Sequence, residues 1–453
     1  MRSIMRSVAL AIFAVCVATL AYSAPVGAQA TTQPIVLKGA LLIDGTGRPP
    51  VTNSVIVIDG ARIRAAGKAG SVGIPKGADV RDVSGKTIMP ALINIHGHPG
   101  VAAINGIDPA HYTVDNAEKV LQKYLAYGVG TVGSFGEDEE GVFMLRDEQH
   151  GGNLGGARLF TAGRGFASSG GRVAPDDVRY HPKDADEART EVRENAAHHP
   201  DYMKMWMDQR FQPAVYQAII DEGHRQKLRV FAHMYYLAEA KTLLAAGIDG
   251  FAHSVRDVPV DNDLIQGMKA RGIFLIPTLV REEVVYIWAE PSKWLNDPFF
   301  VAGLEPGVLP TLQSPPFQEK FRRDPDLAKY KAGLEMAQKN LKTLYDAGVK
   351  IGFGTDSGIP TRFPGYMEHR ELQLMVEAGL TPMQAIVIAT GTSAGILKGE
   401  REFGTLQPGK QADFLVLDAN PLDDIHNTEK LSAVWQAGKV VTSVSAKQTV
   451  SQR

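Results

Sequence analysis

The residues best placed to do chemistry are His96 and His98, two histidines one residue apart after the apolar run Ile88–Ile95. In an extended chain residues i and i+2 point the same way, so both imidazoles face one point at a strand's C-terminal end. Neutral imidazole suits zinc and similar metals. Gly97 removes side-chain bulk between them, and Pro99-Gly100 turns the chain away. Two surface histidines at a strand end would look the same in so short a motif, so the rest of the chain must decide.

Four more polar residues end, or lie within, apolar strand-like runs. They are Lys204 in D-Y-M-K-M-W, His233 in V-F-A-H-M, His253 in G-F-A-H-S and Asp356 in G-F-G-T-D-S-G. Taken singly, each has a structural reading. His233 and His253 suit satisfied core histidines, Lys204 a snorkelling strand-edge lysine, and Asp356 a helix N-cap. Packing alone does not account for all six residues at strand ends. Four imidazoles and a carboxylate suit one or two divalent ions such as zinc. Lys204 is the odd member, because an ammonium would repel metals. It makes sense if burial neutralises it, or if CO2 converts it to a carbamate that acts as a bridging carboxylate.

The elements that must position these groups alternate strand and helix from residue 88 to 399, the pattern of parallel βαβ units. Candidate strands are Ile88–Ile95, Thr131–Ser134, Arg158–Thr161, Tyr202–Trp206, Arg229–Ala232, Gly250–Ala252, Ile273–Pro277 and Lys350–Gly354. Eight strands close an α/β (β/α)8 TIM barrel, whose active site lies at the C-terminal strand ends. Residues 31–87 and 400–453 read as all-β and predict a small composite β-sandwich domain built from both chain ends. The segment 280–325 is long and rich in aromatic residues, with Trp288, Trp294, Phe299, Phe300 and Phe317. It reads equally as a lid or as a packed surface excursion. Lys329–Ala347 predicts an amphipathic helix.

The net charge of −2 in 453 residues gives no electrostatic reason for a nucleic-acid or membrane-surface partner. Arg2, Arg6, the short apolar run Val8–Leu20 and Ala28-Gln29-Ala30 predict a signal peptide over residues 1–30. Export to the periplasm or beyond follows as an expectation. The single cysteine, Cys16, lies inside that segment, which excludes cysteine ligands, a cysteine nucleophile and disulfides from the mature chain.

These motifs resemble those of the amidohydrolase superfamily, and most closely its imidazolonepropionase-like and prolidase-like metal-dependent members. The resemblance runs from D-G-T-G (Asp44–Gly47) through P-A-L-I-N-I-H-G-H and F-G-T-D-S-G. It continues to H-R-E-L-Q-L-M-V-E-A-G-L-T-P-M-Q-A (His369–Ala385) and G-T-L-Q-P-G-K-Q-A-D-F-L-V-L-D (Gly404–Asp418). It implies that His96, His98 and Asp356 hold one metal and that His233 and His253 hold a second. Lys204, as N-carboxylysine, would bridge two zinc ions. The resemblance further implies a hydroxide shared by metals about 3.5–4 Å apart as the nucleophile, with Asp356 as the catalytic proton carrier.

Two departures stand out. Asn94 replaces the usual aspartate before the His-x-His. Arg172 stands where relatives often carry a substrate-contacting histidine. A guanidinium there suits a substrate carboxylate, or is simply an exposed loop arginine. Tyr235 and Tyr236 follow His233; Tyr235 is a candidate substrate contact. The expected function is an exported peptidase or amidohydrolase cleaving a C–N bond in a dipeptide, Xaa-Pro-like, or an N-acyl amino acid. Alternatives are a cyclic amide, lactone or phosphotriester hydrolase, and a non-catalytic relative. Expected partners are a small-molecule substrate and further copies of the chain in a homo-oligomer.

Overall fold

In the computed structural model, residues 33–170 and 177–445 are described. The signal-peptide segment, Cys16 and Arg172 lie outside them. The barrel strands run Leu92–Gly97, Val129–Ser134, Arg158–Thr161, Met203–Trp206, Val230–His233, Gly250–Ala252, Phe274–Ile276 and Lys350–Ile351. The first three pair in parallel, and so do the last five. Backbone bonds close the two seams. Asp201 N–H donates to Thr161 O at 2.9 Å, and Phe166 N–H donates to Lys204 O at 2.9 Å. On the other side Ile95 N–H reaches Phe353 O at 2.9 Å, and Asp356 N–H reaches His96 O at 2.8 Å.

Several strand ends shift by one to three residues from the sequence reading, and the first strand differs more deeply. Ile88–Ile95 is not a single barrel strand. Thr87–Pro90 pairs antiparallel with Phe414–Leu417 in a sheet of the chain ends, and the barrel strand starts at Leu92. Pro90 has no N–H to continue a ladder, and Ala91 N–H donates to Asp413 O at 3.1 Å. The chain crosses between sheets at that point. An unbroken apolar run carries no mark of the crossing.

The chain-end sheets confirm the composite arrangement. A four-stranded sheet has the order Arg62–Lys68, Ser54–Asp59, Ile35–Lys38, Asp79–Asp82. A five-stranded sheet has the order Lys439–Val441, Leu431–Gln436, Phe414–Leu417, Thr87–Pro90, Leu41–Leu42. Their shared core takes Leu37, Ile56, Ile63 and Ile88 from one end and Phe414, Val416 and Trp435 from the other.

The insert after the seventh strand is helical and packed inward. Trp288, Trp294 and Phe300 are each 1% exposed. Trp288 meets Trp294 edge-on at 5.5 Å, and Phe300 meets Phe363 at 5.1 Å. Tyr127 Oη donates to Phe299 O at 3.1 Å, fixing the insert to the barrel. These aromatic residues form a core of their own, so the segment is a packed excursion here. The helix Leu327–Asp346 follows it, as its pattern predicts.

Candidate metal centre

His96, His98 and Asp356 come together at the barrel mouth, with one ligand atom from each lying within 4.8 Å of the others. Asp356 Oδ1 is 2.9 Å from His98 Nε2 and 3.3 Å from His96 Nε2. Close backbone packing holds them. A Cβ on Gly97 would stand 2.8 Å from Tyr124 Oη, and one on Gly354 would stand 2.6 Å from the His96 Cβ. Asn94 accepts from the His96 N–H at 2.9 Å and donates to Glu368 Oε1 at 2.6 Å. The same Glu368 oxygen accepts from Thr355 and Ser357, the two neighbours of Asp356, at 2.6 and 2.7 Å. Asn94 thus ties both ligand-bearing strand ends to one buried carboxylate. A carboxylate in its place would face Glu368, which accounts for the amide at that position.

His233 and His253 stand beside this group. Their rings are 4.4 Å apart, and the His253 ring is 4.8 Å from that of His96. His253 Nδ1 lies 2.6 Å from Thr278 Oγ1, an arrangement that fixes the ring and leaves Nε2 for a ligand. Three non-glycine residues adopt left-handed backbone here: His253 (φ +90°), Thr278 (+49°) and Asp356 (+61°). Such strain persists only where the surroundings over-determine it, and it clusters at functional sites.

Lys204 is fully buried. Its Nζ has no hydrogen-bond partner and lies 4.8 Å from the Phe135 ring centre and 4.4 Å from that of Trp206. Burial pulls its ammonium down to about 7. Burial likewise holds His96 at about 3, and His233 and His253 well below the ordinary histidine range. Burial opposes ionisation of Asp356, but Arg362 and the two histidines outweigh it and keep the carboxyl ionised. The result is a buried set of neutral imidazoles, a carboxylate and an amine. Both His96 ring nitrogens and His98 Nδ1 lack hydrogen-bond partners. Buried polar atoms in this condition are expensive unless something occupies the space between them. The donor set fits a divalent ion.

The chain's sequence patterns did not expose several residues that shape the site. Glu137 Oε2 sits 3.3 Å from His98 Nδ1 and reaches Arg179 at 3.7 Å. Asp138 is buried under Ser134 and Thr161 hydroxyls at 2.8 and 2.7 Å. Arg362 pairs with Asp356, and Arg281 approaches the same carboxyl. Glu371 accepts the Leu279 and Val280 N–H groups at 2.9 and 2.7 Å, anchoring the helix that carries Arg281. Glu371 sits in the His369–Ala385 stretch without a role legible there, and the others are found through their partners. Tyr235 is only partly buried, and its ring lies under Arg256 at 4.6 Å and Lys329 at 4.8 Å.

A parallel barrel with a His-His-Asp cluster at its C-terminal mouth is a scaffold with a candidate metal centre. The amidohydrolase family model matches residues 87–446, and the chain belongs to that family. It is 28% identical to an ochratoxinase of Aspergillus niger over 236 residues, which are 51% of this chain and 42% of that protein. It is 39% identical to the imidazolonepropionase of Deinococcus deserti over 101 residues, 21% of this chain and 25% of that one. The chain thus spans less than half the length of these relatives. A provisionally assigned prolidase from Bifidobacterium longum superposes with a TM-score of 0.72 at 26% identity, covering 93% of this chain and 100% of that one.

Proposed function

We propose that the chain is an exported hydrolase that cleaves the amide bond of a dipeptide, Xaa-Pro-like, or of an N-acyl amino acid. The observation that carries this reading is the convergence of His96, His98, His233 and His253 with Asp356 at one barrel mouth. Likeness to a prolidase fold and to an ochratoxinase favours amides over the other electrophiles such a site can attack. Export rests on the Arg2–Ala30 segment of the sequence alone.

His96, His98 and Asp356 would hold one ion. His233 and His253 would hold a second, with Lys204 between them as an N-carboxylated bridge. Divalent ions in such a site supply an activated water and polarise a carbonyl. The chain's own groups do the rest. Asp356 is ionised and reaches His98 through one oxygen, so it can take the proton released on attack and return it to the leaving nitrogen. Thr278 holds the His253 ring in one orientation, and Glu137 faces His98 Nδ1 at 3.3 Å.

The test is release of free amino acid by the zinc-reconstituted protein from a panel of dipeptides, including Xaa-Pro, and N-acyl amino acids. Release above a metal-stripped control is expected. A metal-loaded protein that releases nothing from any member would move the assignment to cyclic amides, lactones or phosphotriesters.

A further inference from the structure

Asp356 faces two ways. Its Oδ1 lies against His96 and His98. Its Oδ2 accepts from Arg362 Nη1 and lies 3.7 Å from Arg281 Nε. Arg281 also donates from Nη1 to Glu282 Oε1 at 2.6 Å, and Arg256 donates to that same oxygen at 2.5 Å. Arg256 and Glu282 are each 1% exposed; Arg281 and Arg362 are 17% and 16% exposed at their side chains.

The charges do not balance. Among the described residues of this cluster, three guanidinium groups meet two carboxylates. One of those carboxylates, Asp356, is already shared with the histidine pair. Arg281 Nε is buried with no hydrogen-bond partner, although it points toward Asp356. A buried guanidinium with an unused donor is costly unless an anion completes it. The fork geometry of arginine matches a carboxylate. The unpaired Arg281 Nε adjoins the carboxyl that would protonate the leaving nitrogen. In an α-amino acid leaving group, the carboxylate is separated from that nitrogen by a single carbon. An anion subsite this close to Asp356 therefore suits an α-amino acid and not a long-chain acid.

We propose that Arg281 and Arg362 form the subsite for the α-carboxylate of the leaving amino acid, with Arg256 and Glu282 as positioning residues that hold Arg281 in place. In the unliganded protein both arginines rest on Asp356. An arriving substrate carboxylate takes up the unused Arg281 donor and shares the charge of both arginines. This inference rests on the proposed amide cleavage. It replaces Arg172 with Arg281 of the helix Leu279–Ile287 and Arg362 of a loop as the selector for a free carboxylate.

The test compares N-acetyl-leucine, N-acetyl-phenylalanine, N-acetyl-methionine and N-acetyl-proline with their C-terminal carboxamides. Binding is measured by calorimetry on metal-stripped protein, and hydrolysis on zinc-loaded protein. The acids should bind at least about tenfold more tightly than the amides, the worth of one charge-assisted hydrogen bond. Arg281→Met should abolish that preference, and Arg281→Lys should retain part of it. Equal binding of acid and amide by the unmodified protein would overturn the subsite without any variant, and so would an acid preference unchanged in a folded Arg281→Met. Equal cleavage of acids and amides removes the subsite while the amide reading stands. Arg281-dependent binding of the acids with no cleavage keeps the subsite and removes the amide reading.

Discussion

In the proposed function, Lys204 is the residue on which the metal chemistry turns. A fully buried amine between two aromatic faces, with no acceptor in reach, has no structural purpose of its own. Lys204→Ala should therefore lose most of its activity and at least one bound ion per chain, counted by metal analysis. Acetate or propionate should restore part of the activity by standing in for a carbamate. Unchanged metal content and activity would remove the bridge. Glu137 acts one step further out. Its carboxylate lies 3.3 Å from His98 Nδ1, placed to orient that ring as a ligand in the proposed site. Glu137→Gln should weaken metal affinity by about 10–100-fold, the usual size for such a partner. Competition with a chelator reads this directly, and affinity equal to the unmodified protein would assign Glu137 to Arg179 alone.

At the scale of the element, the helix Tyr366–Glu377 is the organiser. Glu368 pins the strand ends around His96 and Asp356, and Glu371 caps the helix that carries Arg281. Arg370 binds Glu283 through two bonds of 2.8 Å. The helix is itself held by the turn Ile425–Glu429, where Gln373 Nε2 donates to Glu429 Oε1 at 2.6 Å. Burial, then the Asp297 charge, pushes the Glu429 carboxyl up to about 7. Between the ordinary value of 4.5 and about 7, the folded chain then holds a proton that the unfolded chain has lost. Stability must fall as pH rises through that window. Glu429→Gln keeps the acceptor for Gln373 and removes the titration. It should match the unmodified protein near pH 4.5 and exceed it by about 1–3 kcal/mol at pH 8. Denaturant melts at both values decide it; parallel curves would mean that Glu429 titrates normally.

For the whole molecule, the question is how the chain-end sheets and the barrel act as one body. Arg158, at the start of the third barrel strand, donates to Asp413 Oδ2 at 2.9 Å, and Asp413 Oδ1 accepts from Ala437 N–H at 2.7 Å. Arg158 also stacks over Phe403 at 5.0 Å. The two side chains are 12% and 6% exposed. Removing one partner leaves the other charge buried, at a cost of about 3–5 kcal/mol. Arg158→Ala should lower stability by that amount while leaving metal content intact. Loss of metal alongside stability would show that the junction also sets the barrel mouth.

Much of this was legible in the chain alone. Strand alternation, the turn chemistry of both ends and the six polar residues at strand ends each leave a local mark, because side-chain direction follows backbone period. Arg158–Thr161 and Gly250–Ala252 fall on the structural strands without correction. The strand break at Pro90 left no such mark, since both halves are apolar and buried. The insert reads as lid or excursion until its tryptophans are seen facing Phe363 and Tyr366. The arginine cluster, Glu137 and Glu368 belong to different loops and helices. Their roles come from charges and donors brought within a few ångströms of Asp356 and His98. The sequence by itself determined which residues could hold a metal, because ligand chemistry is a property of residue type and strand position. Only the tertiary structure decided which charges surround that metal, because the electrostatic partners are set by distance in space and not along the chain.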